Sequence, residues 1–374
     1  MATEWEILED PFDVMYEPLA GANTTTLLRL LAQNHFRIAG RYLPRLLYAG
    51  LISTILAPFR LLDSIRYGSA VADTDIAQHP VFIIGHWRSG TTYLHNLLAI
   101  DDQFGYCSTF HSLVPGAFLG NPALKSIVAA SIPETRPMDE VPMGADLPQE
   151  EEYALGALTP YAYYNGWIFP RNMRSYSQAV NLGSAPRTMQ AMWRRTYRHF
   201  LKKLTYTWEG RRLVLKNPAN TARIPVLLDM FPDARFIHIR RNPYDVYASM
   251  MKFMTRVLPR YTVQRPPSQE AMSEAILDTY EALYRSYEAS RSSIPDGRHV
   301  EVGYEQFVQH PIEQLERIYT ALSLDGFDDH RERFTKYIAS QSHIRACHYE
   351  LDSALKNRVG ERWAFAFDML GYEP

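Results

Sequence analysis

Short apolar runs alternate with stretches of helical periodicity from residue 79 onward. The runs typical of buried strands are Val81–Gly85, Arg212–Lys216, Ala234–Arg240 and Val300–Val302. Helical spacing of apolar residues follows them in Tyr93–Ile100, Thr221–Phe231, Pro243–Met254 and Pro311–Leu322. Strands that alternate with helices form parallel sheets with right-handed crossovers. The pattern therefore predicts an α/β fold of three layers, in which helices flank a central parallel sheet.

The most apolar segment of the chain, Leu46–Phe59, lies between Arg45 and Arg60. At about 14 residues it is shorter than the ~20 residues that a helix needs to span a bilayer. Two interpretations stay open. The segment is either a helix buried in the protein core, or an interfacial helix whose flanking arginines reach back to water. The second interpretation predicts peripheral membrane contact through residues 46–59.

Three further stretches complete the predicted organisation. Residues 1–78 are interpreted as an N-terminal helical region that precedes an α/β domain over residues 79–374. Within that domain, residues 115–211 are rich in proline and aromatic residues and predict a mostly helical insertion. Residues 256–270 (RVLPRYTVQRPPSQE) are predicted to form a mobile loop.

Composition and charge exclude several classes of protein. The chain has 374 residues, of which 46% are hydrophobic and 21% are charged, a balance typical of globular proteins. Its 39 basic and 41 acidic residues give a net charge of −2, which argues against a general nucleic-acid binder. The basic residues are 32 arginines and 7 lysines. This skew reflects either base composition or arginine forks for an oxyanion-rich ligand, and composition does not decide between them.

Cysteine usage and the N-terminus bear on the compartment. The sequence has two cysteines, Cys107 and Cys347, so neither a disulfide framework nor a cysteine-based zinc site is expected. The N-terminal stretch MATEWEILED is acidic and lacks the basic region and apolar core of a secretory signal. These features predict a cytoplasmic protein.

The strongest local signal is the turn Gly85–Thr92 (GHWRSGTT), between a predicted strand and a predicted helix. Gly85 and Gly90 have the spacing of a P-loop, in which successive backbone N–H groups point at an anion. Additional donors are Arg88 and the hydroxyls of Ser89, Thr91 and Thr92. Thr91 stands where a nucleotide triphosphatase needs lysine. The turn therefore predicts a P-loop-like anion site without ATP hydrolysis.

A second basic group follows a later strand. Arg240 and Arg241 end that strand, Asn242 and Pro243 begin the next helix, and Ser249 lies two turns into it. In a parallel sheet both turns fall on the same carboxyl edge. Two anion sites on one edge predict a ligand with two separated phosphate-like groups.

On these motifs the chain resembles sulfotransferases that use 3′-phosphoadenosine 5′-phosphosulfate (PAPS), in particular bacterial members with a longer insertion. The motifs that carry the resemblance are Arg88–Thr92, Leu213–Pro218, Arg241–Ser249 and Gly303–Pro311, with a short further match at Lys356–Gly360. It covers roughly residues 79–374. The resemblance implies transfer of a sulfuryl group from PAPS to an acceptor, with no metal ion.

The resemblance also implies roles for individual residues. Arg88, Ser89, Gly90, Thr91 and Thr92 would hold the 5′-phosphosulfate, and Lys216 would meet the transferring sulfuryl group. Arg241 and Ser249 would bind the 3′-phosphate, and Tyr304 would pack near the adenine. Arg358, within the Lys356–Gly360 match, would close on the 3′-phosphate from a late loop.

The predicted reaction needs a general base that takes the proton of the acceptor. Many relatives place a histidine shortly after the lysine strand, whereas this chain has Asn220 in that region, and an amide is not a base. His111 and Glu150, the first residue of an acidic run, are the candidates that remain. Each also has a structural alternative, as a hydrogen-bonded histidine and as a carboxylate in the first turn of a helix. His95 is interpreted as a packing or capping residue.

Aromatic residues of the insertion bear on the acceptor. They are Tyr153, Tyr161, Tyr163, Tyr164, Trp167 and Phe169. They either line a pocket for a lipophilic alcohol or lipid or form ordinary core. Two other classes of function stay open, a P-loop kinase-like phosphotransferase or nucleotide-binding regulator, and a non-catalytic membrane-associated scaffold. The oligomeric state is not indicated by the sequence.

Overall fold

The computed structural model describes Trp5, Val14 and residues 17–76, 79–136, 141–341 and 348–374. Most of the acidic N-terminal stretch and Cys347 lie outside these residues. The chain forms two compact units. The first unit comprises Met1–Ile76, Cys107–Gly210 and Lys252–Ala275, and the second comprises Ala77–Tyr106, Arg211–Met251 and Ile276–Pro374.

In the part of the chain that the structure describes, the α-helices in chain order are α1 Thr24–Gln33, α2 Leu43–Ile55, α3 Ala57–Asp73, α4 Thr91–Leu98, α5 Thr109–Leu113, α6 Pro122–Ser131, α7 Glu151–Leu158, α8 Asn165–Ile168, α9 Met173–Ser177, α10 Arg187–Thr207, α11 Ile224–Met230, α12 Pro243–Tyr261, α13 Gln269–Ser290, α14 Tyr304–Gln309, α15 Pro311–Ala321, α16 Phe327–Ser340 and α17 Ser353–Leu370. Short 3₁₀ turns connect several of them, among them Pro218–Ala222.

A five-stranded sheet lies in the second unit. Its strands are β1 Val81–Ile84, β2 Phe104–Gly105, β3 Arg212–Lys216, β4 Arg235–Arg240 and β5 His299–Gly303. They lie in the order β2-β3-β1-β4-β5 and pair in parallel throughout. The predicted α/β fold with a central parallel sheet is confirmed.

The central strands are apolar because they are covered on both faces. All four residues of β1 are buried. Val81 and Ile83 belong to one core cluster with Leu94 of α4, Phe307 of α14 and Leu315 of α15. This packing fixes where the strands end, and therefore where the turns that follow them lie.

The predicted loop at residues 256–270 is largely wrong. Helix α12 continues to Tyr261 and α13 begins at Gln269, so the irregular segment covers residues 262–268 alone. Val257 and Leu258 are fully buried, and this burial sustains the helix although Pro259 stands in its last turn. The carbonyl of Pro259 accepts a hydrogen bond from Arg45 Nη1 at 3.1 Å.

Two further sequence predictions are corrected by the fold. The stretch Thr221–Phe231 is not one helix, because the 3₁₀ turn Pro218–Ala222 precedes α11 and Pro225 occupies the first turn of that helix. The interpretation of Leu46–Phe59 as one buried helix is also wrong. It forms the end of α2 and the start of α3, which meet at Leu56, and side chains such as Leu47 and Leu51 are exposed.

Candidate active site

The turn after β1 has a backbone that glycine alone accommodates. Gly85 has φ of +134° and Gly90 has φ of +91°, both in the region that disfavours side chains. A Cβ at Gly85 would lie 2.3 Å from the carbonyl oxygen of Ile239 in β4. A Cβ at Gly90 would lie 2.3 Å from the ring of Tyr304. The two glycines therefore let the turn pass close to β4 and to the start of α14.

Thr221 holds the start of this turn through two hydrogen bonds, a role that the sequence did not reveal. The N–H of Gly85 donates to Thr221 Oγ1 at 2.7 Å, and that hydroxyl donates to the Gly85 carbonyl at 3.2 Å. Thr221 lies in the 3₁₀ turn that follows β3. The signal that could have found it is the parallel pairing of β1 with β3, since segments after neighbouring parallel strands meet at one edge of the sheet.

Arg88 and Arg241 are joined to each other and to Ser249. Arg88 Nε donates to Ser249 Oγ at 3.0 Å, and Arg241 Nη1 donates to the carbonyl of Arg88 at 2.9 Å. Arg88 has φ of +70°, a strained value for a residue with a side chain. The hydrogen bond from Arg241 holds its peptide in that conformation. The two motifs predicted to bind anions are therefore in direct contact.

Tyr304 completes this group. The guanidinium carbon of Arg241 lies 4.5 Å from the centroid of the Tyr304 ring, close enough for a cation–π interaction. Both side chains are buried, at 6% and 7% exposure. The ring and the hydrogen bond to Arg88 together fix the orientation of the Arg241 guanidinium.

The N-terminus of α4 carries the donors of a typical anion site. Its N-cap residue is Gly90, which has no side chain to cap the helix, and its first turn has no acidic residue. Lys216, at the end of β3, is 1% exposed, and its Nζ donates to Thr92 Oγ1 at 3.3 Å. Ser89 and Thr91 are buried in the same turn. This donor set suits an anionic group.

His95 on α4 stays neutral beside this site. Burial, and to a lesser degree the charge of Lys216, lowers the pKa of His95 to about 3. Its Nε2 lies 3.3 Å from the carbonyl oxygen of Val214 in β3. A neutral, buried ring that contacts the sheet fits the predicted packing role.

The expectation of a late loop around Arg358 is wrong, because this residue lies in helix α17. Gly360 serves close packing there rather than a turn, since a Cβ at this position would lie 2.7 Å from the hydroxyl of Tyr244. The same tyrosine lies in the first turn of α12, three residues after Arg241, and its ring centroid is 5.2 Å from Lys356 Nζ. Arg358, which is half-buried, is thus carried on a helix that contacts the start of α12.

The two candidate bases lie in the first unit, whereas the residues described above lie in the second. His111 forms a capping box at the start of α5, in which its Nδ1 accepts from the N–H of Ser108 at 3.2 Å. The proton of a neutral His111 ring is therefore on Nε2. Glu150 is the N-cap residue of α7, and its carboxylate accepts a hydrogen bond from the hydroxyl of Tyr164.

The other polar residues that the sequence raised, Glu151, Glu152 and Asn220, have structural partners within their own units. Glu151 accepts a hydrogen bond from the hydroxyl of Tyr197 at 2.8 Å, and Glu152 accepts one from the N–H of Tyr163 at 2.7 Å. Both carboxylates are fully buried. Asn220, in the second unit, accepts from Arg223 Nη1 at 3.1 Å. Glu150 is therefore the member of the acidic run with the greatest exposure, at 9%.

The aromatic residues of the predicted insertion pack mainly against each other. Tyr164 stacks on Trp167 with ring centroids 4.0 Å apart, and Tyr153 meets Tyr164 edge-on at 4.7 Å. Trp167 is fully buried and also contacts Phe253 at 5.6 Å. Most of this cluster is therefore core of the first unit.

No group of three or more histidine, cysteine, aspartate or glutamate residues that could hold a metal ion occurs within residues 17–76, 79–136, 141–341 and 348–374. Arg88, Arg241 and Lys216 place positive charge next to the turn. A ligand with phosphate-like groups fits these residues, since each of them donates hydrogen bonds and carries a positive charge.

Comparisons with known proteins agree with this geometry. Residues 80–329 match a family model described as "Sulfotransferase family". The chain is 32% identical over 358 residues to omega-hydroxy-beta-dihydromenaquinone-9 sulfotransferase Stf3 of Mycobacterium bovis. The aligned region covers 94% of this chain and 90% of that protein. The Mycobacterium tuberculosis protein of the same name gives the same values.

Two solved structures share the fold. Sulfotransferase STF1 from Mycobacterium tuberculosis superposes with a TM-score of 0.69 at 19% identity, over 91% of this chain and 92% of that one. Sulfotransferase STF9 from Mycobacterium avium gives a TM-score of 0.67 at 16% identity, over 94% and 97% of the two chains. At these identities the likeness shows the fold alone.

Proposed function

Since this chain belongs to the sulfotransferase family and is an enzyme that transfers sulfate, we propose that it moves the sulfuryl group of PAPS to the hydroxyl of a lipophilic alcohol or lipid. The observation that carries the proposal is the direct contact of two anion-binding motifs, in which Arg241 holds the Arg88 peptide and Arg88 meets Ser249. A ligand with one phosphate-like group would need one of these motifs. A nucleotide with separate 3′ and 5′ groups needs both.

PAPS would be bound by both motifs, with its two phosphate-like ends at different residues. The N–H groups of the turn, Arg88 and the hydroxyls of Ser89, Thr91 and Thr92 would bind the 5′-phosphosulfate. Arg241 and Ser249 would bind the 3′-phosphate, and Arg358 would reach it from α17. Tyr304 would support the adenine side of the site while it orients Arg241.

Lys216 would stabilise the charge that develops during transfer. The acceptor oxygen forms a bond to sulfur while the bond between sulfur and the 5′-phosphate oxygen breaks. The products are a sulfate ester and adenosine 3′,5′-bisphosphate, and the acceptor proton passes to a base. Negative charge grows on the leaving phosphate oxygen and on the sulfuryl oxygens, where the ammonium of Lys216 and the guanidinium of Arg88 would donate hydrogen bonds.

We also propose that transfer needs no metal ion. In phosphoryl transfer a magnesium ion neutralises charge between the phosphates. Here Arg88, Lys216 and Arg241 would supply that positive charge from the protein. The alternative of a kinase-like phosphotransferase loses its support, because the chain belongs to the sulfotransferase family and Thr91 occupies the position of the P-loop lysine.

His111 and Glu150 remain our candidates for the general base, and their substitution is the first test. We expect His111→Asn or Glu150→Gln to slow transfer by more than about tenfold, or ~1.4 kcal/mol, while the affinity for adenosine 3′,5′-bisphosphate is unchanged. Asparagine at position 111 keeps an acceptor for the N–H of Ser108, so the start of α5 is preserved. Glu152→Gln serves as the control for loss of a structural carboxylate. If both variants retain more than a tenth of the wild-type kcat, neither residue is the base.

The acceptor is proposed to be lipophilic because the Stf3 relative acts, by its name, on a hydroxylated menaquinone derivative, and it aligns with 94% of this chain. The test is transfer of labelled sulfate from PAPS to primary alcohols of increasing chain length. Each buried methylene contributes ~0.8 kcal/mol, or about fourfold in kcat/KM. Four additional methylenes, ~3.2 kcal/mol in all, should therefore raise kcat/KM by roughly 250-fold. Equal rates across the series, or a preference for sugar alcohols, would show that the acceptor class is wrong.

Cytoplasmic placement also stays a proposal. It is supported by the cysteine content of the sequence, whose two cysteines do not form the framework typical of secreted domains.

A further inference from the structure

Exposed apolar side chains are concentrated in one part of the first unit. Among the described residues, twelve large apolar side chains are exposed, and nine of them lie between residues 28 and 65. A surface of a monomeric protein carries scattered apolar residues, whereas a contiguous group marks an interaction site. This group of exposed apolar side chains therefore indicates a surface that binds another molecule.

Helices α2 and α3 form the main part of this group. On α2, Leu43, Leu47, Leu51 and Ile55 follow each other at four-residue intervals and are between 48% and 65% exposed. On α3, Leu61, Leu62 and Ile65 are between 59% and 73% exposed. The seven side chains form two helical stripes, which we call the α2–α3 surface.

The opposite faces of both helices are fixed to the first unit by buried polar contacts. Arg45 of α2 is 1% exposed, pairs with Glu17 at 3.3 Å and donates to the carbonyls of Pro259 and Thr262. Asp63 of α3 is 3% exposed and lies 3.6 Å from the ammonium of Lys203. These ion pairs would be broken if either helix left the unit.

This anchoring decides between a helix that crosses a bilayer and one that lies on it. By length and composition, the helical stretch Gly40–Asp73 is apolar enough to cross a membrane, and 22% of its most apolar window is buried. A crossing helix would have to place Arg45 and Asp63 in hydrocarbon, at a cost of several kcal/mol each. An interfacial orientation leaves both in their present contacts and immerses the exposed stripes alone.

The charges around the surface indicate which occupant it suits. Between residues 18 and 72 the chain has six arginines, and its one acidic residue there is Asp63, which is buried. Exposed arginines are found at positions 29, 37, 41 and 66. A second copy of the chain would bring these arginines towards one another without an acidic partner. An anionic lipid surface offers both negative headgroups and an apolar interior.

We propose that the α2–α3 surface docks this protein on an anionic lipid bilayer, with the leucine and isoleucine stripes in the acyl boundary and the arginines at the headgroups. The inference rests on the proposed function in one respect, since docking would bring the enzyme to an acceptor that is dissolved in the membrane. It makes the membrane, rather than bulk water, the source of the acceptor.

The test is sedimentation of the full chain with vesicles of phosphatidylcholine alone or mixed with phosphatidylglycerol. Wild-type protein should partition onto the mixed vesicles, less strongly at high salt, where headgroup attraction is screened. Leu47→Glu/Leu51→Glu on α2 and Leu61→Glu/Ile65→Glu on α3 should each lower the partition coefficient by at least about tenfold. Ile127→Glu, at a position that is 67% exposed on α6, is the matched control and should bind as wild type does. Thermal unfolding of each variant verifies that it is folded.

Three results would overturn the docking surface. They are failure of the wild-type chain to bind mixed vesicles, binding by both double variants at the wild-type level, and a wild-type dimer that the double variants convert to monomers without any vesicle binding. A separate titration with adenosine 3′,5′-bisphosphate keeps the two proposals apart. A chain that docks as expected but does not bind this nucleotide supports the surface and contradicts the proposed function.

Discussion

Lys216→Met is expected to lower kcat by about 10²–10³-fold and to leave the affinity for adenosine 3′,5′-bisphosphate within about threefold. Lys216 ends β3, is 1% exposed and is held by Thr92 at the start of α4. A donor that is fixed in a water-poor site acts on the charge that develops in the transition state, and its loss costs ~2.7–4 kcal/mol. Methionine has a similar length and lacks the charge, so it fills the same space.

The control for this substitution is Lys252→Met, because Lys252 is exposed on α12 and should not affect the rate. Both variants are measured for initial rates with labelled PAPS and for nucleotide binding by calorimetry. A Lys216→Met enzyme that retains more than a tenth of the wild-type kcat would contradict the role of Lys216. A loss of nucleotide affinity as large as the loss of kcat would assign Lys216 to nucleotide binding rather than to sulfuryl transfer.

Arg241→Ala should weaken the binding of adenosine 3′,5′-bisphosphate by about 30- to 1,000-fold, or ~2–4 kcal/mol. The guanidinium is 6% exposed, lies against the Tyr304 ring and holds the carbonyl of Arg88. Its removal takes away a charge-assisted donor and also releases the strained Arg88 peptide. Arg241→Lys should restore little of the lost nucleotide affinity. An ammonium cannot donate two parallel hydrogen bonds to phosphate or stack on the tyrosine ring as a guanidinium does.

Arg240 provides a matched control one residue earlier in the chain. Its guanidinium donates to the carbonyl of Leu370 and lies 5.3 Å from the ring of Tyr372. Arg240→Ala removes the same charge and should change nucleotide affinity by less than about threefold, since its guanidinium is engaged by Leu370 and Tyr372 and a charge without direct contact is screened. If Arg240→Ala and Arg241→Ala weaken binding equally, the effect is net charge rather than a fixed contact, and the assignment of Arg241 to the 3′-phosphate is wrong.

The sheet could be predicted from the sequence because its strands are apolar on both faces. β1, β3 and β4 match the runs at Val81, Arg212 and Ala234 within a residue, and β5 matches closely. β2 has two residues, Phe104 and Gly105, and is too short to leave a periodic signal. The turn Gly85–Thr92 was also recognisable, because its glycines are required locally by the backbone.

The parallel sheet predicts that distant motifs meet at one edge, but not which of their atoms are in contact. Arg88 and Ser249 are 161 residues apart, and Thr221 is 136 residues from Gly85, so no local pattern relates them. Apolar composition at Leu46–Phe59 indicated a helix but not which face the rest of the unit would cover. Likewise, Pro259 suggested a loop, whereas burial of Val257 and Leu258 sustains α12 past it. At these positions tertiary packing overrides the secondary-structure preference of the local sequence.

The central claim is that this enzyme takes its sulfuryl group from PAPS, at a site formed by Arg88, Lys216, Arg241 and Ser249. The most direct test is calorimetric titration of the wild-type chain with adenosine 3′,5′-bisphosphate in the presence of a metal chelator, and with ATP–magnesium in parallel. We predict tight binding of the bisphosphate, unchanged by the chelator, and much weaker binding of ATP–magnesium. Binding of ATP–magnesium without binding of the bisphosphate would contradict the claim.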